Sequence, residues 1–160
     1  MRNCKLIATV LISAVLGATG AAASVNITFV NPEHYRDSDF RSAARRESVI
    51  AELSRYLERL DRRYLKPGQR VDIEVLDMRL AGEYEPWRRN FDDVRILRDT
   101  TPPRLKLRYT FRQGNRVLAQ GEETLTDLSY LSNPSARASS ERFAYEKLML
   151  REWFRKRFAL

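Results

Sequence analysis

The sequence predicts an α+β fold: one mostly antiparallel sheet with two helices packed on one face. Three observations predict it. Apolar residues alternate with polar ones in several segments, they recur at three- and four-residue spacing in two longer ones, and the order runs strand, helix, strands, helix. Val25, Ile27 and Phe29 alternate with Asn26 and Thr28, the period of a half-buried strand, and Asn31-Pro32 ends it. Val49, Ile50, Leu53, Tyr56, Leu57, Leu60 and Tyr64 then line one face of a helix expected over residues 42–65. The opposite face carries Arg45, Arg46, Glu52, Arg55, Arg59, Asp61 and Arg62, and Pro67-Gly68 stops the helix in a turn.

Val71, Ile73 and Val75 alternate with Asp72 and Glu74, after which the apolar phase shifts to Leu76, Met78 and Leu80. One inserted residue switches the face that side chains occupy, so a bulge is expected near Val75-Leu76. If the first strand runs parallel to this one, their connection is a right-handed crossover. Residues 81–89 lack a clean period and contain Gly82 and Pro86, which reads as a loop or distorted strand end, and residues 94–97 read as a short edge strand. Leu105, Leu107, Tyr109 and Phe111 face one way, Arg104, Lys106, Arg108 and Arg112 the other, and Gln113-Gly114-Asn115 supplies a turn. The returning strand, residues 116–125, is expected to bring Glu122 and Glu123 back beside Lys106 and Arg108, cancelling much of that basic row. Residues 127–138, rich in Ser with Asn133-Pro134, read as a loop, and Ser139 or Ser140 as the cap of a helix reaching Phe158. Phe143, Tyr145, Leu148, Met149, Leu150, Trp153, Phe154 and Phe158 cover more than a narrow stripe of that helix, which implies deep burial or a partner.

Residues 1–23 have the composition of a cleavable secretory leader. Arg2 and Lys5 precede an apolar run from Leu6 to Leu16, shorter than the roughly 20 residues that span a bilayer, and Ala21, Ala22 and Ala23 precede Ser24. Cleavage near Ala23-Ser24 sends residues 24–160 to the periplasm as a single domain. Cys4, the only cysteine, precedes the apolar run, whereas a lipoprotein cysteine directly follows one. The exported part is then cysteine-free, which excludes disulfides, a thiolate nucleophile and Cys-ligated metal. No later segment is long and apolar enough to cross a membrane.

The formal net charge is +8, and the leader takes two of those charges with it. The excess is mostly arginine, whose planar fork suits phosphate and carboxylate, so an anionic envelope component is a fitting partner. A GC-rich genome produces the same bias, and the arginines are interspersed with acids. Export and the absence of a binding motif argue against nucleic acid.

His34 is the only histidine, so Ser-His-Asp chemistry would rest on it alone; an exposed loop position is expected. Glu33, Asp37 and Asp39 beside it, and Asp92, Asp93 and Asp99 further on, match no EF-hand or zincin spacing, and neither metal nor other cofactor is expected. No glycine-rich phosphate loop occurs. The candidate binding residues are Glu83, Glu85, Trp87, Arg88 and Arg89. Arginines beside an indole ring form bidentate contacts with carboxylate or phosphate. The leading expectation is a noncatalytic domain that binds an envelope protein or anionic envelope component. Two alternatives use the same residues or the last helix. Glu83 and Glu85 flanking Tyr84 have the composition of a two-carboxylate glycan hydrolase, which needs the acids about 5 to 9.5 Å apart; ordinary pairing with Arg79, Arg88 or Arg89, with Trp87 over the sheet edge, is the structural counterpart. Residues 153–158 mix rings and bases as a membrane-surface helix does.

Phe29-Val30-Asn31-Pro32, the segment Ala81-Gly82-Glu83-Tyr84-Glu85-Pro86-Trp87-Arg88-Arg89, Arg104-Leu105-Lys106-Leu107-Arg108-Tyr109, Gly121-Glu122-Glu123-Thr124 and Tyr145-Glu146-Lys147 through Trp153-Phe154 occur in series across nearly the whole exported part. Taken together they resemble a family of exported bacterial proteins called domain of unknown function 3016. The resemblance implies a bacterial envelope protein. It implies no activity, no cofactor and no active residues.

Overall fold

Alternating sequence builds a four-stranded sheet in the order β1-β2-β5-β6. The structure, a computed structural model, describes residues 22–85, 87 and 94–159, so residues 1–21 of the expected leader lie outside the described residues. Strand β1 (Ser24–Phe29) runs parallel to β2 (Gln69–Arg79), which pairs antiparallel with β5 (Arg104–Gln113), which in turn pairs antiparallel with β6 (Arg116–Thr126). The sheet is thus mixed, with one parallel pair, and the fold is α+β as expected. A separate two-stranded ribbon joins β3 (Glu83–Tyr84) to β4 (Arg95–Ile96).

The register places Val25, Ile27 and Phe29 opposite Val71, Ile73 and Val75, and these opposite Phe111, Tyr109 and Leu107. Between Val75 and Asp77 the pairing slips by one residue, the bulge that the phase change predicts. The carbonyl at the slip is well used: Val75 O accepts from Val30 N at 2.9 Å and from the Tyr35 hydroxyl at 2.6 Å. After the bulge Met78 and Leu80 return to the buried side.

Two helices cover that side. Helix α1 (Ala43–Glu58) buries Val49, Leu53 and Leu57, and a short α2 (Asp61–Tyr64) follows it. One continuous helix is expected there; instead Leu60 N donates to Leu57 O at 3.0 Å, a tight turn that breaks the ladder while Leu60 stays in the core. Helix α4 (Ala144–Phe158) buries Met149, Leu150, Trp153, Phe154 and Phe158. Its rings interlock edge-on with the sheet: Trp153 stands 5.7 Å from Tyr109 and 5.3 Å from Phe158, which lies 5.1 Å from Phe111 and 4.7 Å from Phe154. Trp153 is 6% and Phe158 1% exposed, so the broad apolar surface of this helix is spent on the core.

Neither Ser139 nor Ser140 caps α4. The cap position is Phe143, held at φ +59, a left-handed conformation that bulky residues adopt rarely, with the Arg142 guanidinium 4.7 Å from its ring centre. The expected loop over 127–138 contains a 3-10 turn (Tyr130–Ser132) and a short α3 (Pro134–Arg137), whose Asn133 cap accepts from Ser135 N and Ala136 N. Tyr130 explains the compactness: it is fully buried and donates to Arg98 O at 2.6 Å.

The open face of the sheet is ionic. Arg108 donates to Glu74 at 2.9 Å and Glu122 at 3.1 Å, and Lys106 reaches Glu122 at 2.7 Å. Glu123 does not join them, because successive strand residues point to opposite faces. It lies on the helix side, accepting from Trp153 Nε1 at 3.1 Å and pairing with Arg157 at 2.9 Å. A second ionic tie joins the helices: Lys147 of α4, nearly buried, donates to Glu52 of α1 at 2.6 Å and to Glu141 at 2.9 Å.

Phe154→Ala leaves a void among Tyr64, Trp153 and Phe158, and urea unfolding is expected to show a loss of about 3–5 kcal/mol. Arg112→Ala, on the open face, should change stability by no more than about 0.5 kcal/mol. Hydrogen bonds from Lys147 first, and from Arg55, lower the Glu52 carboxyl to about 2. A carboxylate depressed by folding stabilises above its ordinary value and loses that contribution as pH falls through the folded one. The stability gap between the native protein and Glu52→Gln is therefore expected to be full at pH 7 and to close as unfolding curves are taken toward pH 2.

Candidate functional site

The chain leaves the sheet at Arg79, forms the β3-β4 ribbon and returns at Arg104, and the base of this excursion is built on one arginine. All three guanidinium nitrogens of Arg95 donate inward. Nη2 donates to Asp37 Oδ2 at 2.7 Å and Nη1 to Asp37 Oδ1 at 3.0 Å and Asp39 Oδ2 at 3.2 Å. Nε donates to Ala81 O at 3.0 Å, and Nη2 also reaches the carbonyls of Leu80 and Gly82. Both aspartates are buried. Burial opposes the Arg95 charge, and the two carboxylates outweigh it, so the group is held above its ordinary value.

The aspartates are positioned by a 3-10 turn (Ser38–Phe40) that Asp37 caps, accepting from Asp39 N at 3.0 Å, while its other oxygen accepts from Leu80 N at 2.9 Å. The Tyr84 hydroxyl donates to Asp39 at 2.9 Å, with its ring 5.1 Å from the Arg95 guanidinium and 5.4 Å from that of Arg45. Burial and then the Asp39 bond raise the Tyr84 phenol above its usual range. Helix α4 contributes Glu146, fully buried, which accepts from Ala81 N at 2.6 Å. Burial raises its carboxyl above the usual range, against the Ala81 amide and Arg95, which lower it. Gly82 completes the base: its φ is +74, and a Cβ there would lie 2.7 Å from Ile96 O, so only glycine fits.

The expected binding residues sit above this base. Glu83 is exposed and pairs with Arg79. Glu85 is 6% exposed and accepts from Arg98 at 2.7 Å. The two carboxylates therefore engage different arginines, one at the surface and one buried. Trp87 is 76% exposed and does not pack over the sheet edge. Arg88 and Arg89 lie outside the described residues. His34 is exposed, 3.3 Å from Glu33. Among the described residues no group of three His, Cys, Asp or Glu side chains could hold a metal ion, and no helix is long and apolar enough to cross a membrane. Trp153, Phe154 and Phe158 of the final helix are buried.

Sequence reasoning missed the members that hold the ribbon: Asp37, Asp39, Arg95, Arg98 and Glu146. Asp37 and Asp39 drew attention only as cation ligands, and Arg95 sits in a two-residue strand with no periodicity to reveal its direction. Arg95 and Asp37 are 58 positions apart, so no local spacing links them.

A family model described as protein of unknown function (DUF3016) matches residues 23–156. The chain belongs to that family. No curated protein and no solved structure matches it. Within this DUF3016 member the match runs from the residue before β1 into the last turns of α4, so ribbon, ionic base and both helices lie inside the family domain.

Removing one partner of a buried ion pair strands the other. Arg95→Ala is expected to cost about 3–5 kcal/mol in urea unfolding, and Asp37→Ala in that background to cost far less than it does alone.

Proposed function

We propose that this DUF3016 chain is an exported envelope protein and that its domain is a noncatalytic binding module. Its recognition surface is the ribbon from Glu83 to Ile96, with Trp87 and the arginines that follow it in sequence, and its ligand is an anionic envelope component. The observation that carries this reading is the exposure of Trp87, 76%, on a stem whose charges are otherwise satisfied. An indole ring left in water costs hydrophobic free energy that no fold requires, and rings so placed serve as anchors at interfaces. The stem supports recognition because it is held in place: Arg95 and Arg79 tie the ribbon to the domain, and Arg98 with Glu85 joins its two sides. A preorganised loop loses little entropy on binding.

Export is supported by the leader composition of residues 1–23 and by a family match that opens at residue 23. Binding is favoured over glycan hydrolysis because Glu83 and Glu85 are each engaged by an arginine rather than turned together toward a substrate.

Trp153 is buried, so a change in indole emission on binding reports Trp87. Titration with phosphatidylglycerol vesicles or lipopolysaccharide is expected to shift the emission to the blue, with phosphatidylcholine inert. Trp87→Phe should remove the signal, and Arg88→Ala with Arg89→Ala should weaken binding about tenfold or more while the melting temperature stays put. Binding should also weaken with added salt. An emission spectrum indifferent to both anionic surfaces would refute this recognition surface.

A further inference from the structure

A second concave site lies between the two helical layers. We infer that the cleft between α1–α2 and α4 is a binding site for a phosphate group carried on a small organic body. The cleft has a volume of about 330 Å³ and is lined by Arg59 and Arg63 from one wall and Lys147 and Arg151 from the other, with Ser135 and Ser139 at its mouth. Lys147 and Arg151 are four positions apart on α4, the spacing that stacks side chains on one helical face, while Arg59 closes α1 and Arg63 lies in α2. Leu60 and Ala136, both buried, give the cleft an apolar floor.

Many arginines elsewhere in the molecule are answered by carboxylates. Arg36, Arg45, Arg55, Arg79, Arg95, Arg98, Arg108, Arg155 and Arg157 each pair with a carboxylate. Among the described residues, Arg59 and Arg63 have no carboxylate partner, and Arg151 has only a 3.9 Å approach to its neighbour Glu152, which is already held by Arg155. Instead the two uncommitted guanidinia lie by rings, Arg59 at 5.7 Å from Tyr56 and Arg63 at 5.6 Å from Tyr64, contacts that orient the forks without neutralising them. Tyr56 also has the Lys147 ammonium 5.7 Å from its ring, and its hydroxyl feels Arg151, Glu141 and Lys147. Glu141 is the one acid in the lining, and it is taken by Lys147.

Three like charges converging on one small hollow repel one another, and an anion that relieves the repulsion gains from all three. A carboxylate carries a single charge, which one guanidinium fork matches. A phosphate monoester presents three oxygens and nearly two charges, which suits three forks plus two hydroxyl donors. The cleft is at the small end of the roughly 300–1,000 Å³ range of small-molecule sites, enough for a phosphate with a sugar-sized body and too small for a folded polymer.

The test is calorimetric titration of the purified protein with inorganic phosphate and with glucose 1-phosphate, with sodium chloride at matched ionic strength as reference, alongside flotation on phosphatidic acid vesicles. Saturable binding of the soluble esters is expected, with Arg59→Gln and Arg63→Gln together weakening it about tenfold to a hundredfold. Arg63→Lys should fall between, since it keeps the charge and loses the fork. Arg112→Ala, which removes from the open face of the sheet an arginine equally unpaired among the described residues, should bind as the native protein does. Flotation that depends on Arg59 and Arg63 assigns the phosphate to a lipid headgroup, and soluble binding without such flotation assigns it to a free ester. Phosphate heat no larger than that of chloride together with no Arg-dependent flotation, or equal affinity in the folded Arg59→Gln, Arg63→Gln protein, would overturn the inference.

Discussion

A single guanidinium placed among two buried carboxylates and three backbone carbonyls holds this molecule's extremities together. Arg95 is stable there only because each of its nitrogens finds an acceptor; a buried cation with fewer would be ejected into water. That requirement reaches in three directions. Asp37 and Asp39 bring in the segment ahead of α1, the carbonyls of Leu80, Ala81 and Gly82 bring in the end of β2, and Arg95 itself belongs to the ribbon. Through Ala81, whose amide donates to Glu146, the same knot reaches α4. The short β3-β4 ribbon is thereby tied to the domain at its base.

The remainder of the fold divides labour between two faces. The helix side is apolar and aromatic, closed by the rings of α4 against Tyr109 and Phe111. The open side carries exposed pairs, each worth little, that answer Lys106 and Arg108 in place. Where a positive charge is answered in place, nothing is left for a ligand. The two regions proposed to bind are the exposed Trp87 on its ribbon, and the cleft between α1–α2 and α4, where three guanidinia meet one acid already taken.

Much of the fold was legible because burial writes itself into spacing. The alternation in β5 and the three-four recurrence in α1 report which face meets the core, and even the bulge in β2 was readable from a phase change. The misses share a different origin. Glu123 was read as part of a surface row with Glu122, although adjacent strand residues must part company; its partners Trp153 and Arg157 lie a helix away. The cap of α4 falls on Phe143 rather than on a serine, because the approach of the chain over Tyr130 and α3 sets the helix start. Of the candidate site, the ribbon residues were visible as an irregular, aromatic and charged segment. The arginine that fixes them was not.

The amino-acid sequence alone determined the class of fold and most of the faces of its strands and helices. These follow from composition and from periods of two and 3.6 residues, which are local quantities. Tertiary structure decided which charges are answered and which are left over. Whether an arginine is a structural tie, as Arg95 is, or free to meet a ligand, as Arg59 and Arg63 are, depends on carboxylates brought near by the chain's path. Coulomb energy depends on distance in space, and spacing along the chain does not encode it.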